Sequence, residues 1–164
     1  MKTIILPGYS PHNKEWLYDV KNNLEIDGEI VVHEWKHWKE GSLSVKNETD
    51  NIITEVGNDR INFIAKSVGF RILMTIIPKL FNKIEKVILC GIPVDPIRYS
   101  SEIKMIKKTN LVIFQNSKDP FMSFEKIKKS VVAIDKDIKV FEKIASNHDY
   151  PYFEEFSSFL SSSS

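Results

Sequence analysis

Cysteine is almost absent from this sequence of 164 residues, which contains only Cys90 and therefore cannot form an internal disulfide. Cys90 follows the apolar residues Val87, Ile88 and Leu89, a position that predicts a buried and unreactive thiol. An excess of charge of one sign is also missing, because 23 Lys and Arg residues oppose 22 Asp and Glu residues. The net charge of +1 gives no reason to expect a nucleic-acid or membrane-surface partner.

Long apolar runs and glycine-rich motifs are missing as well. Before Pro7-Gly8 the amino terminus offers only the apolar stretch 3–6, much shorter than a signal-peptide core or a membrane span. We therefore expect a cytoplasmic protein without a membrane span. The sequence has no glycine pattern of a dinucleotide or phosphate site, and no His, Cys or carboxylate cluster has metal-ligand spacing. These absences predict a protein that uses no cofactor and no metal.

Short apolar segments alternate with amphipathic helical segments along the whole chain, and no hairpin turn separates any two of them. The predicted strands lie near residues 3–6, 29–35, 63–65, 87–90, 111–114 and 138–141. This alternation predicts βαβ units, and hence a three-layer α/β/α sandwich around a mostly parallel sheet of about six strands. The length suits one domain, which we expect over residues 1–160, followed by a serine tail at 161–164.

Two prolines predict limits of helices. Pro78 is expected to kink or end the helix that follows residue 67, because proline lacks the amide that the helix needs. Pro151 is expected just inside the start of the last helix, which would begin near Asp149.

The stretch 61–70 joins a predicted strand to a predicted helix through an abrupt turn at Ser67. This arrangement would place Ser67 at the carboxyl edge of the sheet, with its side chain clear of the core. The residues two positions before and after it must then be small, and Ala65 and Gly69 meet that demand. The alternative is that Ser67 simply caps the helix, since serine is a preferred N-cap residue.

The order Ala65-Lys66-Ser67-Val68-Gly69 resembles the nucleophile elbow of the α/β-hydrolase family, G-x-S-x-G, with alanine in place of the first glycine. The resemblance extends over nearly the whole chain. It implies a minimal α/β-hydrolase fold without the family's first antiparallel strands or a sizeable lid. It also implies that Ser67 is the nucleophile and that an acid and then a histidine follow in later loops.

The resemblance identifies Asp119 as the acid and His148 as the base. The segment 114–121 is similar to the family's G-x-x-D segment, with Asn116 in place of glycine, and His148 lies just before the last helix. His148 is the only histidine that follows Ser67 in the sequence. Asp95, after the fourth predicted strand, is the alternative acid. Both aspartates precede a proline, so turn formation explains either of them equally well.

The resemblance further implies two backbone donors for an oxyanion, the amides of Val68 and Tyr9. The segment Leu6-Pro7-Gly8-Tyr9 is similar to the family's H-G-x segment, with Pro7 in place of histidine. Gly8 suits a loop whose backbone approaches a substrate closely, although a plain tight turn accounts for it too.

Aromatic side chains near the same edge of the sheet are candidates for a substrate pocket. Trp35 and Trp38 follow the second predicted strand, and Phe121 follows the fifth. The alternative is that these side chains only cover core surface.

Taken together, these residues predict a serine hydrolase, and specifically a carboxylesterase acting on small or mid-length acyl esters through an acyl-enzyme. Its partner would be a small-molecule ester. The alternative is a catalytically inactive binding or interaction protein of the same fold, because Pro7, Ala65 and Asn116 depart from the family pattern.

Overall fold

The computed structural model of the protein describes residues 1–163, and in them six strands form one sheet. The sheet order is β2-β1-β3-β4-β5-β6, and every neighbouring pair is parallel. The strands are β1 (Lys2–Leu6), β2 (Glu29–Val32), β3 (Ile61–Lys66), β4 (Ile84–Cys90), β5 (Leu111–Asn116) and β6 (Lys139–Lys143). This all-parallel sheet confirms the predicted α/β fold class.

Helices cover both faces of the sheet. They are α1 (Asn13–Asn23), α2 (Val45–Val56), α3 (Val68–Leu80), α4 (Ser100–Lys104), α5 (Phe124–Ile134) and α6 (Phe153–Ser161). The alternating side chains of each strand feed two separate apolar layers. In β3, Phe63 and Ala65 pack with α2 to α5, whereas Ile64 packs with α1 and α6. No helix in the described range is both long and apolar enough to cross a membrane.

Three predicted boundaries lie elsewhere in the structure. Strand β2 ends at Val32 instead of Trp35. Helix α3 does not end at Pro78 but continues to Leu80, and Pro78 lies in its last turn, where it removes one backbone hydrogen bond. A kink at Pro78 stays a prediction. Helix α6 begins at Phe153 and leaves Tyr150 and Pro151 outside, since the Tyr150 carbonyl accepts a hydrogen bond from Trp16 instead.

The last residues that the structure describes contact the amino end of strand β4. Ser161 is the last residue of α6, and the buried Lys86 of β4 donates to the carbonyl of Phe159 at 2.9 Å and to the hydroxyl of Ser162 at 2.9 Å. Ser164, the last residue of the predicted serine tail, lies outside the described residues. The division of the chain after residue 160 stays a prediction.

Strand β1 lies between β2 and β3, so the chain leaves β1 toward one side of the sheet and later returns to its other side. Helix α1, which follows β1, packs on one face, and α3, which follows β3, packs on the other. Such a reversal opens a crevice at the carboxyl ends of the two strands, which is where open α/β sheets bind ligands. Ser67 and Tyr9 lie in the loops that border this crevice.

Candidate active site

Ser67 occupies a strained turn between β3 and α3. Its φ of 53° and ψ of −119° make it the only non-glycine residue with positive φ among residues 1–163. A non-glycine residue in this region costs on the order of 1–3 kcal/mol. The Ser67 side chain makes no capping hydrogen bond with α3, while its amide donates to the Cys90 carbonyl at 3.1 Å. Helix capping therefore does not account for this serine.

Gly69 lies where the first turn of α3 passes against β1. A Cβ atom at this position would lie 2.5 Å from the Leu6 carbonyl oxygen, so only glycine fits without a backbone shift. The sequence predicted that this residue must be small, and the structure shows that the backbone closest to Gly69 is that of the adjacent strand β1. Ala65 is completely buried in the layer beneath α3.

Asp119 and His148 are joined by a short hydrogen bond, 2.6 Å between Oδ2 and Nδ1. The other carboxylate oxygen accepts from the amide of Phe121 at 2.8 Å, and the Asp119 side chain has no exposed surface. Burial acts to raise the pKa of Asp119, but the hydrogen bonds from His148, from Tyr150 and from the Phe121 amide outweigh it, and the pKa is lowered. Asp119 is therefore an ionised acceptor for the imidazole.

The second ring nitrogen of His148 has no partner. Nε2 is buried and makes no hydrogen bond with any residue that the structure describes, Ser67 included. When Nδ1 carries the hydrogen donated to Asp119, Nε2 carries the lone pair and can accept a proton. The Cε1 atom between the two nitrogens lies close to Gly91, and Gly91 follows the residue whose carbonyl holds the Ser67 amide. His148 and Ser67 therefore both lie at the carboxyl end of β4.

Asp95, the alternative acid, lies elsewhere. It is exposed, and its side chain accepts from the amide of Ile97 at 3.0 Å at the start of a 3₁₀ turn, Pro96–Tyr99. The structure brings Asp119 to His148 and gives Asp95 the local role of a cap.

The loop 7–10, called here the oxyanion loop, follows β1 and lies beside Ser67, because Leu6 pairs with Ala65 in the sheet. Its carbonyls accept hydrogen bonds from side chains after β2. Trp35 Nε1 donates to the Gly8 carbonyl at 2.8 Å, and Trp38 Nε1 donates to the Tyr9 carbonyl at 2.8 Å. In a trans peptide the N–H points opposite to the C=O, so the Trp35 contact fixes the direction of the Tyr9 amide.

Asn13 and Lys66 hold the far end of the oxyanion loop, and sequence reasoning missed both. Asn13 Nδ2 donates to the Ser10 carbonyl at 3.0 Å, and Asn13 Oδ1 accepts from Lys66 Nζ at 2.9 Å. Lys66 is 4% exposed and lies 5.1 Å from the centre of a Trp16 ring. Burial lowers its pKa, against the nearby Cys90, Asp149 and Asp119, which act to raise it. The only feature of the sequence that pointed to this role was the position of Lys66, a charged residue, in a strand that is otherwise uncharged and buried.

Asn116 and Tyr150 support the loop that carries His148, and neither role was predicted. Asn116 Nδ2 donates to the carbonyls of Asn147 at 3.0 Å and Asp149 at 2.8 Å. The asparagine that replaces the family's glycine therefore fastens the His148 loop to the end of β5. The Tyr150 hydroxyl donates to Asp119 Oδ2 at 2.6 Å and accepts from the Asn116 amide at 3.1 Å.

The three predicted pocket residues lie in different surroundings. Trp35 is 1% exposed, so its structural contact is with the oxyanion loop, whereas Trp38 is half-buried. Phe121 is 60% exposed, and its ring centre lies 4.6 Å from that of His148. A cavity of about 490 Å³ is bordered by both tryptophans but not by Ser67 or His148. The pocket role of these side chains stays a prediction.

A metal site is not apparent near these groups. Within the described part of the chain, no cluster of three or more His, Cys, Asp or Glu side chains is arranged to hold a metal ion.

Solved structures with a similar fold exist, although no protein-family model matches this sequence and no curated protein is significantly similar to it in sequence. Alpha/beta hydrolase domain-containing protein 10 from mouse is 9% identical, with a TM-score of 0.70 over 97% of this chain and 87% of that chain. XC6422 from Xanthomonas campestris, an α/β serine hydrolase without a lid, is 12% identical, with a TM-score of 0.66 over 90% and 72%. The esterase EaEST from Exiguobacterium antarcticum is 13% identical, with a TM-score of 0.59 over 98% and 90%.

Proposed function

We propose that this chain, which has the α/β-hydrolase fold, is a serine hydrolase that cleaves carboxylic esters through an acyl-enzyme. The observation that carries the proposal is the strained Ser67 at the crevice between β1 and β3, together with a hydrogen-bonded Asp119–His148 pair that also lies at the carboxyl end of β4. The Nε2 atom of His148 makes no hydrogen bond with any of residues 1–163. Nucleophile, acid and base occur in the chain order that α/β-hydrolases use. Similarity of fold to a lidless serine hydrolase and to an esterase supports the same reaction class.

In the first step Ser67 Oγ attacks the ester carbonyl carbon, and His148 Nε2 takes the hydroxyl proton. The imidazole then carries a positive charge, which the Asp119 carboxylate stabilises at 2.6 Å from Nδ1. In structures without substrate, the distance between the catalytic serine and histidine is often too long for a hydrogen bond, and it shortens when substrate binds. Here this movement would bring together two groups that already lie at the same end of β4.

The negative charge of the tetrahedral intermediate would be accepted by the amides of Val68 and Tyr9. Val68 is the first residue of α3, and amides of a first helical turn have no acceptor within their own helix. The Tyr9 amide is aimed by the contact between Trp35 and the Gly8 carbonyl. Collapse of the intermediate returns the proton from His148 to the leaving alkoxide, and water activated by His148 then releases the acid.

The substrate class is an ester with a small or mid-length acyl group. Tyr9 and Phe121 are 54% and 60% exposed; Tyr9 lies on the oxyanion loop, and the ring of Phe121 packs against that of His148. Exposed aromatic side chains at this position can contact an acyl or alcohol group without enclosing it.

A fluorophosphonate tests the proposal directly, because it reacts with activated serines. We expect covalent labelling of Ser67, and we expect Ser67→Ala to abolish labelling and to lower kcat for a p-nitrophenyl acyl ester by about 10⁴–10⁶. Ser146→Ala is the matched control, since Ser146 is exposed and lies in the loop just before His148. It should retain both labelling and hydrolysis.

An adduct mapped to a serine other than Ser67 would disprove the assignment of the nucleophile. A folded protein that neither reacts with the probe nor hydrolyses esters of any acyl length would favour the inactive binding protein instead.

A further inference from the structure

We propose that Tyr150 is a positioning residue that sets the pH range in which His148 acts as a base, by sharing the carboxylate oxygen that holds the imidazole. This inference rests on the proposed function. The Tyr150 ring packs edge-on against the His148 ring, with centres 5.8 Å apart, and its hydroxyl reaches the imidazole through Asp119.

Two donors converge on a single oxygen atom. His148 Nδ1 and the Tyr150 hydroxyl each lie 2.6 Å from Asp119 Oδ2. The Tyr150 oxygen also accepts from the Asn116 amide at 3.1 Å, so its own hydrogen is left for the carboxylate. A carboxylate oxygen that serves two donors offers each of them less negative charge than it would offer one alone.

Tyr150 cannot turn away from this position. Its ring is completely buried, and its carbonyl accepts from Trp16 Nε1 at 3.0 Å. Gly91, with a φ of 60°, lies directly against the ring, since a Cβ atom there would be 2.7 Å from Tyr150 Cε2. The ring therefore fixes both the distance and the direction of the hydroxyl.

The phenol remains a donor at every pH of interest. Burial first, and then the hydrogen bond to Asp119, raise the pKa of Tyr150. Replacing the hydroxyl by hydrogen would leave Oδ2 with His148 as its only side-chain donor. The concentrated charge then favours the imidazolium, so His148 should lose its proton at a higher pH.

Other charged groups face the same region and remain unchanged in such a variant. Lys66 of β3 and Cys90 of β4 lie within electrostatic range of Asp119, and burial raises the pKa of Cys90 to about 12, so the thiol is neutral. A cavity of about 470 Å³ borders His148 and brings further ionisable side chains of α1 and the His148 loop near it: His12, Glu15, Asp19 and Asp149. Their contributions cancel in a comparison of two proteins that differ only at position 150.

The experiment compares the parent protein with Tyr150→Phe. We expect the acid limb of kcat/KM to move upward by about 0.5 to 1 pH unit, a three- to tenfold change in the proton affinity of the base. The same upward shift should appear in the NMR titration of the His148 ring, which needs no catalysis. Tyr18→Phe is the matched control, because the Tyr18 hydroxyl donates to Glu34 at 3.1 Å and not to Asp119. Its titration should match that of the parent.

A second variant tests the same inference without removing the hydroxyl, in case Tyr150→Phe does not fold. Incorporation of 3-fluorotyrosine at position 150 keeps the ring and makes the phenol a stronger donor, so the His148 titration should move downward. An unchanged or downward midpoint in Tyr150→Phe, or an unchanged one with fluorotyrosine, would overturn the inference. Failure of the proposed function is a different result, namely no labelling of Ser67, and the NMR titration decides about Tyr150 in either case.

Discussion

The two sides of Ser67 are built by opposite means. On one side, Asp119 and Tyr150 hold the imidazole of His148 through bonds between buried side chains. On the other side, the oxyanion loop is held by its backbone carbonyls, which accept from the side chains of Trp35, Trp38 and Asn13. In the proposed reaction, the first side presents a side chain whose charge changes, and the second presents a backbone amide whose charge does not.

This difference decides what a substitution can do. A reactive side chain can be deleted, and its partner is then left as an uncompensated buried group. Only substitution by proline removes a backbone N–H, so any other variant changes the direction of the amide by releasing the carbonyl of the same peptide. We therefore expect larger catalytic losses on the His148 side than on the oxyanion side.

The largest effect should come from removing the charge beneath His148. Asp119→Asn should lower kcat by about 10²–10⁴, because the amide no longer stabilises the imidazolium and can select the wrong tautomer. Steady-state kinetics with an activated ester measure this loss.

Asp95→Asn is the control for that experiment. Its carboxylate only caps a 3₁₀ turn, so kcat should stay close to that of the parent. A large loss in Asp95→Asn with a small one in Asp119→Asn would transfer the role of the acid to the loop after β4.

The next effect is on stability and concerns the contact between the start of α3 and strand β1. Gly69→Ala should reduce the free energy of unfolding by about 3 kcal/mol, because the new methyl group meets the backbone oxygen of Leu6, which cannot move without β1. Urea denaturation measures the change. Gly41→Ala should cost only about 1 kcal/mol, since its φ is 77° but no atom lies within 4 Å of the added group. Equal costs for the two variants would contradict the close contact.

The smallest effect should come from releasing the peptide that carries the Tyr9 amide. Trp35→Phe removes the N–H that holds the Gly8 carbonyl and keeps most of the ring, so we expect kcat to fall about tenfold, or about 1.4 kcal/mol, with KM nearly constant. Trp38→Phe is the control, because Trp38 holds the Tyr9 carbonyl and thus directs the amide of Ser10 instead. A loss in Trp38→Phe as large as that in Trp35→Phe would mean that the whole loop, and not one peptide, has moved.

Local patterns were sufficient to predict the sheet and the position of Ser67. The periodicity of strands and helices depends on residues that are close in sequence. The turn at Ser67 also involves only neighbouring residues, so the small residues Ala65 and Gly69 were enough to predict it. Asp119 was favoured over Asp95 because it follows the fifth predicted strand in a segment similar to G-x-x-D, and the structure gives it the contact with His148.

Contacts between distant segments could not be predicted. Trp35 is aromatic, as the residues that line substrate pockets often are. Only the folded chain shows that its N–H donates to a carbonyl 27 positions away. The same holds for Asn116, whose difference from the family's glycine was interpreted as a departure. Its side chain holds a loop that begins some thirty residues later. A single sequence contains no measure of such distances.

The hydrogen bond from Trp16 to Tyr150 also has a consequence for the order of events during folding. It joins residues 134 positions apart, and closing so long a stretch of chain is entropically costlier than forming the local βα units. The elbow, the oxyanion loop and β5 require only shorter closures. We therefore expect His148 to be seated when α1 and the segment before α6 dock, so that the chain acquires catalytic competence among the last of its native properties.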